Sequence, residues 1–266
     1  MRTDLIKNKE EGTSKTSDIT KEEGINASSG STDGMLDMVI AFDTTGSMSC
    51  YIESVKKYVT ELIPKLLSSN PKLKIGIVAF GDYCDMPSKQ EFGKAYQVLD
   101  LTYDADKIIK FIKGAINTSG GDSDEFYELV IKKIVEETSW REGSTKTILL
   151  IADAMPHEVG YSYPNRVYKN NIDWRVEAKK ATALGIKIDT MTINEGIKWY
   201  TELSKITGGI RVPFSNSAKT SNLIEASAYA RGGSVTRDLF ESEATLAMCD
   251  DEVNEIYLSY RKELID

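Results

Sequence analysis

The sequence predicts an α/β protein with a doubly wound, mostly parallel central sheet and helices on both faces. Two observations lead there. Between residues 36 and 214, short apolar runs alternate with segments of helical periodicity, the pattern of units in which a helix returns each strand parallel to the last. Several runs, "LDMVIAF", "LKIGIVAF" and "KTILLIAD" among them, are almost continuously apolar, as strands must be when helices cover both sides.

Taken in chain order, residues 1–34 hold Leu5, Ile6, Ile19 and Ile25 among Lys, Glu, Ser, Thr and Gly. So few apolar groups do not offset the entropy of ordering, and a flexible polar tail is expected. "LDMVIAF" follows as the first strand. Ile52, Val55, Val59, Leu62, Ile63 and Leu66 then fall at helical spacing, and Pro71 stands where a helix could not continue. "LKIGIVAF" and "YQVLDLT" read as strands, with helices over 105–116 and 124–138. "KTILLIAD", "IKIDTMTI" and "GIRVPF" complete the sheet, separated by helices over 172–184 and 197–207. Three more helices are expected at 217–230, 236–248 and 251–264, the last with Val253, Ile256, Tyr257, Tyr260 and Leu264 on one core-facing stripe. The expected organisation is a tail to residue 34, one α/β domain over 35–232, and a helical extension over 233–266 packed on or near it; 266 residues suffice for one large core.

A net charge of −8 without any long basic cluster argues against nucleic acid as a partner. There is no continuous apolar leader and no run near the ~20 residues that cross a bilayer, so a soluble, cytoplasmic protein without a membrane partner is expected. Cys50, Cys84 and Cys249 stand far apart, without zinc-site spacing or an even disulfide count, and read as reduced thiols.

Doubly wound sheets bind ligands at the carboxyl ends of their strands. Asp43 ends the first strand, Asp82 and Asp85 follow the second, Asp153 ends "TILLIAD", and Asp122 and Ser123 sit in the loop "NTSGGDSDE". Hard divalent cations take carboxylate, hydroxyl and water oxygens, the mixture that Asp43, Thr45 and Ser47 offer at alternate positions, with Thr44 and Gly46 allowing a tight bend. Asp, Ser and Thr are also favoured residues at a helix start, and this stretch alone fits either reading.

The stretch "DMVIAFDTTGSMS" resembles the metal-ion-dependent adhesion site of von Willebrand factor A domains, whose signature is Asp-x-Ser-x-Ser at the end of the first strand. "GGDSDE" looks like the loop carrying that family's metal-site threonine, and "LLIADA" like the strand ending in its second aspartate, in the family's order. "FGDYCD" and "ADAMPHE" are similar to the branch in which such domains accompany alpha-type protein kinases. The resemblance covers residues 36–214 and implies a Rossmann-like fold and a Mg²⁺ or Mn²⁺ site. Thr45 and Ser47 would be direct ligands, Asp43 direct or through water, and Asp153 mainly through water. The threonine position falls on Ser123, with Asp122 beside it as the other candidate. The implied function is non-enzymatic: a metal-dependent contact with an Asp or Glu carboxylate of a partner protein, within an assembly with a separately encoded ATPase or kinase.

Two other readings stand beside it. One is a scaffold whose metal site is vestigial or plugged by Asp122 or Asp124. The other is a Mg²⁺-dependent phosphoryl-transfer hydrolase with Asp43 as nucleophile; it lacks the second Asp that such phosphatases carry two residues on, where Thr45 stands. His157, the only histidine, reads as a partner in a local hydrogen bond rather than a Mg²⁺ ligand. The loop from Glu158 to Asn171, with Tyr161, Tyr163, Arg166 and Tyr168, is rich in residues that anchor interfaces.

Overall fold

A computed structural model describes residues 31–88, 91–162, 170–213 and 218–265. The expected flexible tail lies outside the described residues as far as residue 30, as do Tyr163, Arg166 and Tyr168. Asp33 and Gly34, counted with the tail, are tied down: Asp33 accepts from Ser234 N, and its carbonyl from Lys72 Nζ at 2.8 Å, while Gly34 O accepts from Asn70 at 2.9 Å.

The chain order is β1 (Leu36–Asp43), α1 (Ile52–Ser69), β2 (Leu73–Phe80), β3 (Tyr96–Thr102), α2 (Ala105–Gly114), β4 (Asp124–Glu125), α3 (Tyr127–Glu137) and β5 (Thr145–Ala152). It continues with β6 (Met155–Pro156), α4 (Trp174–Ala183), β7 (Ile186–Thr192), α5 (Trp199–Thr207), β8 (Arg211–Pro213), α6 (Ala218–Arg231), α7 (Arg237–Ala247) and α8 (Asp251–Glu263). Six strands form one sheet in the order β3-β2-β1-β5-β7-β8. All its pairings are parallel except β2–β3. No α-helix lies between β2 and β3, and without a crossover the third strand can only return antiparallel.

The apolar runs explain the layering. Along β1, Leu36, Met38, Ile40 and Phe42 join one core with residues of α1, α2, α6, α7 and α8, while Val39 and Ala41 face the other core with α3, α4 and α5. Both faces of β1 meet helices and all eight of its positions are buried, so its one internal charge, Asp37, is held by Arg141 at 2.7 Å. The expected helix over 124–138 begins later. Asp124 and Glu125 instead pair in parallel with Met155 and Pro156, forming the small β4–β6 ladder, and the helix starts at Tyr127. That ladder holds the loop after β5 against the loop before α3.

On the α8 side, Phe240, Ala244, Ile256, Tyr257 and Tyr260 belong to the main core. No helix among the described residues is long and apolar enough to cross a membrane, and no disulfide joins the three cysteines.

Candidate metal centre

The strand order reverses direction at β1, whose neighbours are β2 and β5, so the crevice at the carboxyl ends of β1 and β5 is the binding position of a doubly wound sheet. Asp43 closes β1 and Asp153 follows β5 by one residue. After Asp43 the chain is extended at Thr45 and then makes a 3₁₀ turn over Gly46–Cys50 before α1. Gly46 is there for close approach rather than for an unusual torsion. Its N–H donates to Ser119 O at 3.2 Å, and a Cβ at this position would sit 3.1 Å from that oxygen.

Asp43 is fully buried. Its Oδ1 accepts from Thr45 N at 2.7 Å and Thr45 Oγ1 at 2.6 Å, and its Oδ2 accepts from the Tyr127 hydroxyl at 2.5 Å. Thr45 Oγ1 lies 3.3 Å from Ser47 Oγ, and the Ser47 hydroxyl favours the ionised form of the Asp153 carboxyl, against the burial that raises it. Thus Asp43, Thr45 and Ser47 form one connected cluster, from the buried floor at Asp43 to the exposed rim at Ser47, with Asp153 at the end of the neighbouring strand close enough to raise the Asp43 carboxyl. Because Thr45 spends its proton on Asp43, the lone pairs of its hydroxyl point elsewhere. Tyr127 braces the floor: it takes a bond from Ala154 N at 3.1 Å, while Tyr200 donates to Ala154 O at 2.7 Å.

Ser123 and Asp122 lie on the surface. Asp122 turns toward a different group, accepting from Tyr161 at 2.7 Å and coming within 4.8 Å of ligand atoms of Asp82 and His157. Asp124, the other residue considered as a plug, is only partly buried. The carboxylate that does reach the pocket from this loop is Glu125, two residues past Ser123. It is 3 % exposed, and Gly120, at φ +70°, makes room for it: a Cβ there would meet Glu125 Oε1 at 2.7 Å and Thr45 Cβ at 3.4 Å. A Glu that precedes Phe126 reads as the polar edge of a helix, and only the β4–β6 ladder turns it inward. Tyr127 was likewise legible only as a helix position.

Burial governs the electrostatics. It pushes the Asp43 carboxyl up to about 7, partly offset by the Thr45 and Tyr127 bonds. Burial, reinforced by Asp43 and Asp82, pushes Glu125 up to about 10, and burial also raises Asp153. Two of these oxygens, Asp153 Oδ1 and Glu125 Oε2, are buried without a hydrogen-bond partner. Two hydroxyls at close range, a buried carboxylate and an orphaned carboxylate oxygen are the donor set of a hard dication, and the pocket fits one.

Residues 37–227 match the von Willebrand factor type A domain family. A protein of Acanthamoeba polyphaga mimivirus described as an ariadne-like RING finger protein, R811, is 25% identical over 187 residues, which is 66% of this chain and 18% of the relative. This chain therefore spans less than a fifth of that relative's length. Among solved structures, the pilus adhesin SpaC from Lactobacillus rhamnosus GG in its open conformation aligns with a TM-score of 0.57 at 14% identity, over 74% of this chain and 30% of that one. The conserved hypothetical protein BatB from Bacteroides thetaiotaomicron aligns with a TM-score of 0.47 at 18% identity, over 71% and 95%. At 14% identity the likeness to the adhesin concerns the fold alone.

Proposed function

The chain belongs to the von Willebrand factor type A domain family, and from that premise we propose that it is a metal-dependent protein-interaction module that takes an Asp or Glu carboxylate of a partner. The observation that carries the reading is the connected cluster Asp43–Thr45–Ser47 at the β1/β5 crevice beside Asp153, whose Oδ1 is buried and unpaired. Thr45 and Ser47 would hold Mg²⁺ or Mn²⁺ directly, with Asp43 and Asp153 supplying negative charge directly or through water. When bound, the cation keeps enough positive character to accept a carboxylate from outside. Ser47 at the exposed rim marks where that carboxylate would enter. Tyr127 fixes the rotamer of Asp43, and the Thr45 N–H fixes the loop. The partner is proposed to belong to an assembly with a separate ATPase or kinase, on the resemblance of "FGDYCD" and "ADAMPHE" alone.

Calorimetric titration of Mg²⁺ and Mn²⁺ into the wild type and Asp43→Ala tests the site. One-site binding is expected in the wild type, weakened at least about 100-fold in the variant by loss of a ligand carboxylate; equal affinities would refute the assignment. Glu125 favours a second reading, since a third carboxylate against Thr45 could close the pocket from within and leave a scaffold. A partner pull-down that is lost in EDTA supports the first reading; one identical with and without EDTA supports the second.

A further inference from the structure

We propose a second, chemically different cation site formed by Asp82, Asp122 and His157, which binds a transition-metal dication through mixed nitrogen and oxygen ligands and does not depend on the Asp43 site. Each residue offers one ligand atom, and the three lie within 4.8 Å of one another. They come from three segments: Asp82 just after β2, Asp122 two residues before β4, and His157 one residue after β6. The β4–β6 ladder is what brings the last two together.

Acidic groups close together are not by themselves a site; the buried atoms here supply the independent observation. Asp82 is fully buried and His157 is 1 % exposed. His157 Nε2 stands 2.8 Å from Asp82 Oδ1, yet Asp82 Oδ2 and His157 Nδ1 are both buried without any hydrogen-bond partner. Among the described residues no lysine or arginine pairs with Asp82. A buried carboxylate with half its acceptor capacity unused and neither lysine nor arginine beside it is costly. One proton shared between Nε2 and Oδ1 leaves the other two atoms unserved. A dication bound through one imidazole nitrogen and the Asp82 carboxylate serves the acid and leaves the other nitrogen its proton: ligands held at ~2.0–2.2 Å stand about 3.0–3.5 Å apart, so Nε2 and Oδ1, now 2.8 Å apart, would separate by a few tenths of an ångström.

The surroundings already hold the ligands in place. The imidazole stacks on Tyr161 with centroids 3.6 Å apart and faces Tyr83 at 5.5 Å on the stacked geometry. Tyr161 also donates to Asp122 Oδ2 at 2.7 Å, so one side chain positions two ligands. Glu128 takes His157 N at 3.1 Å and the Tyr83 hydroxyl at 2.6 Å, and Asn170 donates to His157 O at 3.2 Å. Such second-layer bonds are what orient ligands in metal sites. Exposed Asp122 supplies the entry path. An imidazole in the set favours Zn²⁺, Co²⁺ or Fe²⁺ over Mg²⁺, in contrast to the all-oxygen cluster at Asp43.

The test uses the full chain and Co²⁺ alone as probe, followed by its visible absorption, with Mn²⁺ electron spin-echo spectroscopy to detect an imidazole nitrogen on the metal. The wild type is expected to show a Co²⁺ site that survives in Asp43→Ala, with a ¹⁴N coupling to Mn²⁺ in that variant. Asp122→Ala, a surface change that leaves the core intact, is expected to weaken Co²⁺ at this site at least about tenfold while Mg²⁺ affinity at the Asp43 cluster stays unchanged. His157→Gln is expected to abolish the nitrogen coupling, with circular dichroism checking its fold. Co²⁺ binding that disappears wholly in Asp43→Ala, that is unaffected by Asp122→Ala, or that shows no nitrogen coupling overturns the proposal. A failure of Mg²⁺ to bind the wild type would sink the Asp43 reading and leave this one standing.

Discussion

In EDTA the Tm is expected to fall by roughly 10 °C between pH 5.5 and pH 8, and saturating Mg²⁺ to recover most of the loss at pH 8 while adding little at pH 5.5. Three buried acids set the slope. Asp43 is raised from 3.8 to about 7, Glu128 from 4.5 to about 8, and Glu125 from 4.5 to about 10, burial being the first cause in each. A carboxyl raised on folding is protonated in the native state and ionised in the unfolded chain at intermediate pH. Its stabilisation is complete below the unfolded value, and it is lost as pH rises toward and through the folded value. The windows are therefore about 4–7 for Asp43, 4.5–8 for Glu128 and 4.5–10 for Glu125. Every tenfold gain in a carboxyl's proton affinity on folding is worth about 1.4 kcal/mol at the limit. Because neighbouring acids titrate together, a combined loss of about 3 kcal/mol is the expectation across the tested range. A dication offsets the negative charge of ionised Asp43, so its effect on Tm grows with pH. Glu125→Gln is expected to raise Tm in EDTA at pH 8 and flatten the profile, as is Asp43→Asn, which alone also removes the response to Mg²⁺. A Tm that stays level with pH in EDTA would show that these acids are not held protonated in the native protein.

What the sequence made legible followed from whether the signal was local. The strands were readable because burial on both faces forces a continuous apolar run, and "LDMVIAF" and "KTILLIAD" can hardly be anything else. From there the topology rule places Asp43 and Asp153 at one edge, and the structure links Asp43 to Thr45 and Ser47 and sets Asp153 close enough to raise the Asp43 carboxyl. The middle loop was less readable. In "GGDSDEF" four consecutive polar residues compete for the inward position, and which one enters depends on a two-residue ladder with Met155 and Pro156, 31 residues away in register. Nothing local distinguishes buried Glu125 from exposed Ser123. His157 was readable as a residue making a hydrogen bond, but its partner Asp82, 75 residues distant, was not. Asp189 stands as a charge inside the apolar run "IKIDTMTI", a visible demand for a buried counter-charge whose source only the fold reveals.

That counter-charge is Arg231, and Arg231→Met is expected to destabilise the protein by about 3–5 kcal/mol, measured as a fall in the urea midpoint at constant slope. Arg231 lies 6 % exposed at the end of α6 and grips Asp189 with both terminal nitrogens, at 2.6 and 2.9 Å. The same guanidinium reaches Glu263 on α8 at 2.9 Å and Thr147 on β5 at 2.5 Å. Asp189 also accepts from Tyr260 at 2.6 Å, Ser227 at 3.0 Å and Ile210 N at 2.9 Å. One buried ion pair therefore ties α6 and α8 to β5 and β7. Desolvation cancels much of the attraction in such a pair, so its net worth is small; the large cost comes from removing one member and stranding the other. Asp189→Asn added to Arg231→Met keeps an acceptor for Ile210 N but abolishes the stranded charge, and the double variant is expected to regain at least about 1 kcal/mol over the single one. If instead the losses simply add, the charge on Asp189 is not what the arginine compensates. Amide exchange adds a second readout: with the tether cut, protection in α8 is expected to fall further than in β1, because the polar ties of α8 are Tyr260 on Asp189, Glu263 on Lys187 and Glu263 on Arg231 itself, while β1 is held on both sides by its own ladders.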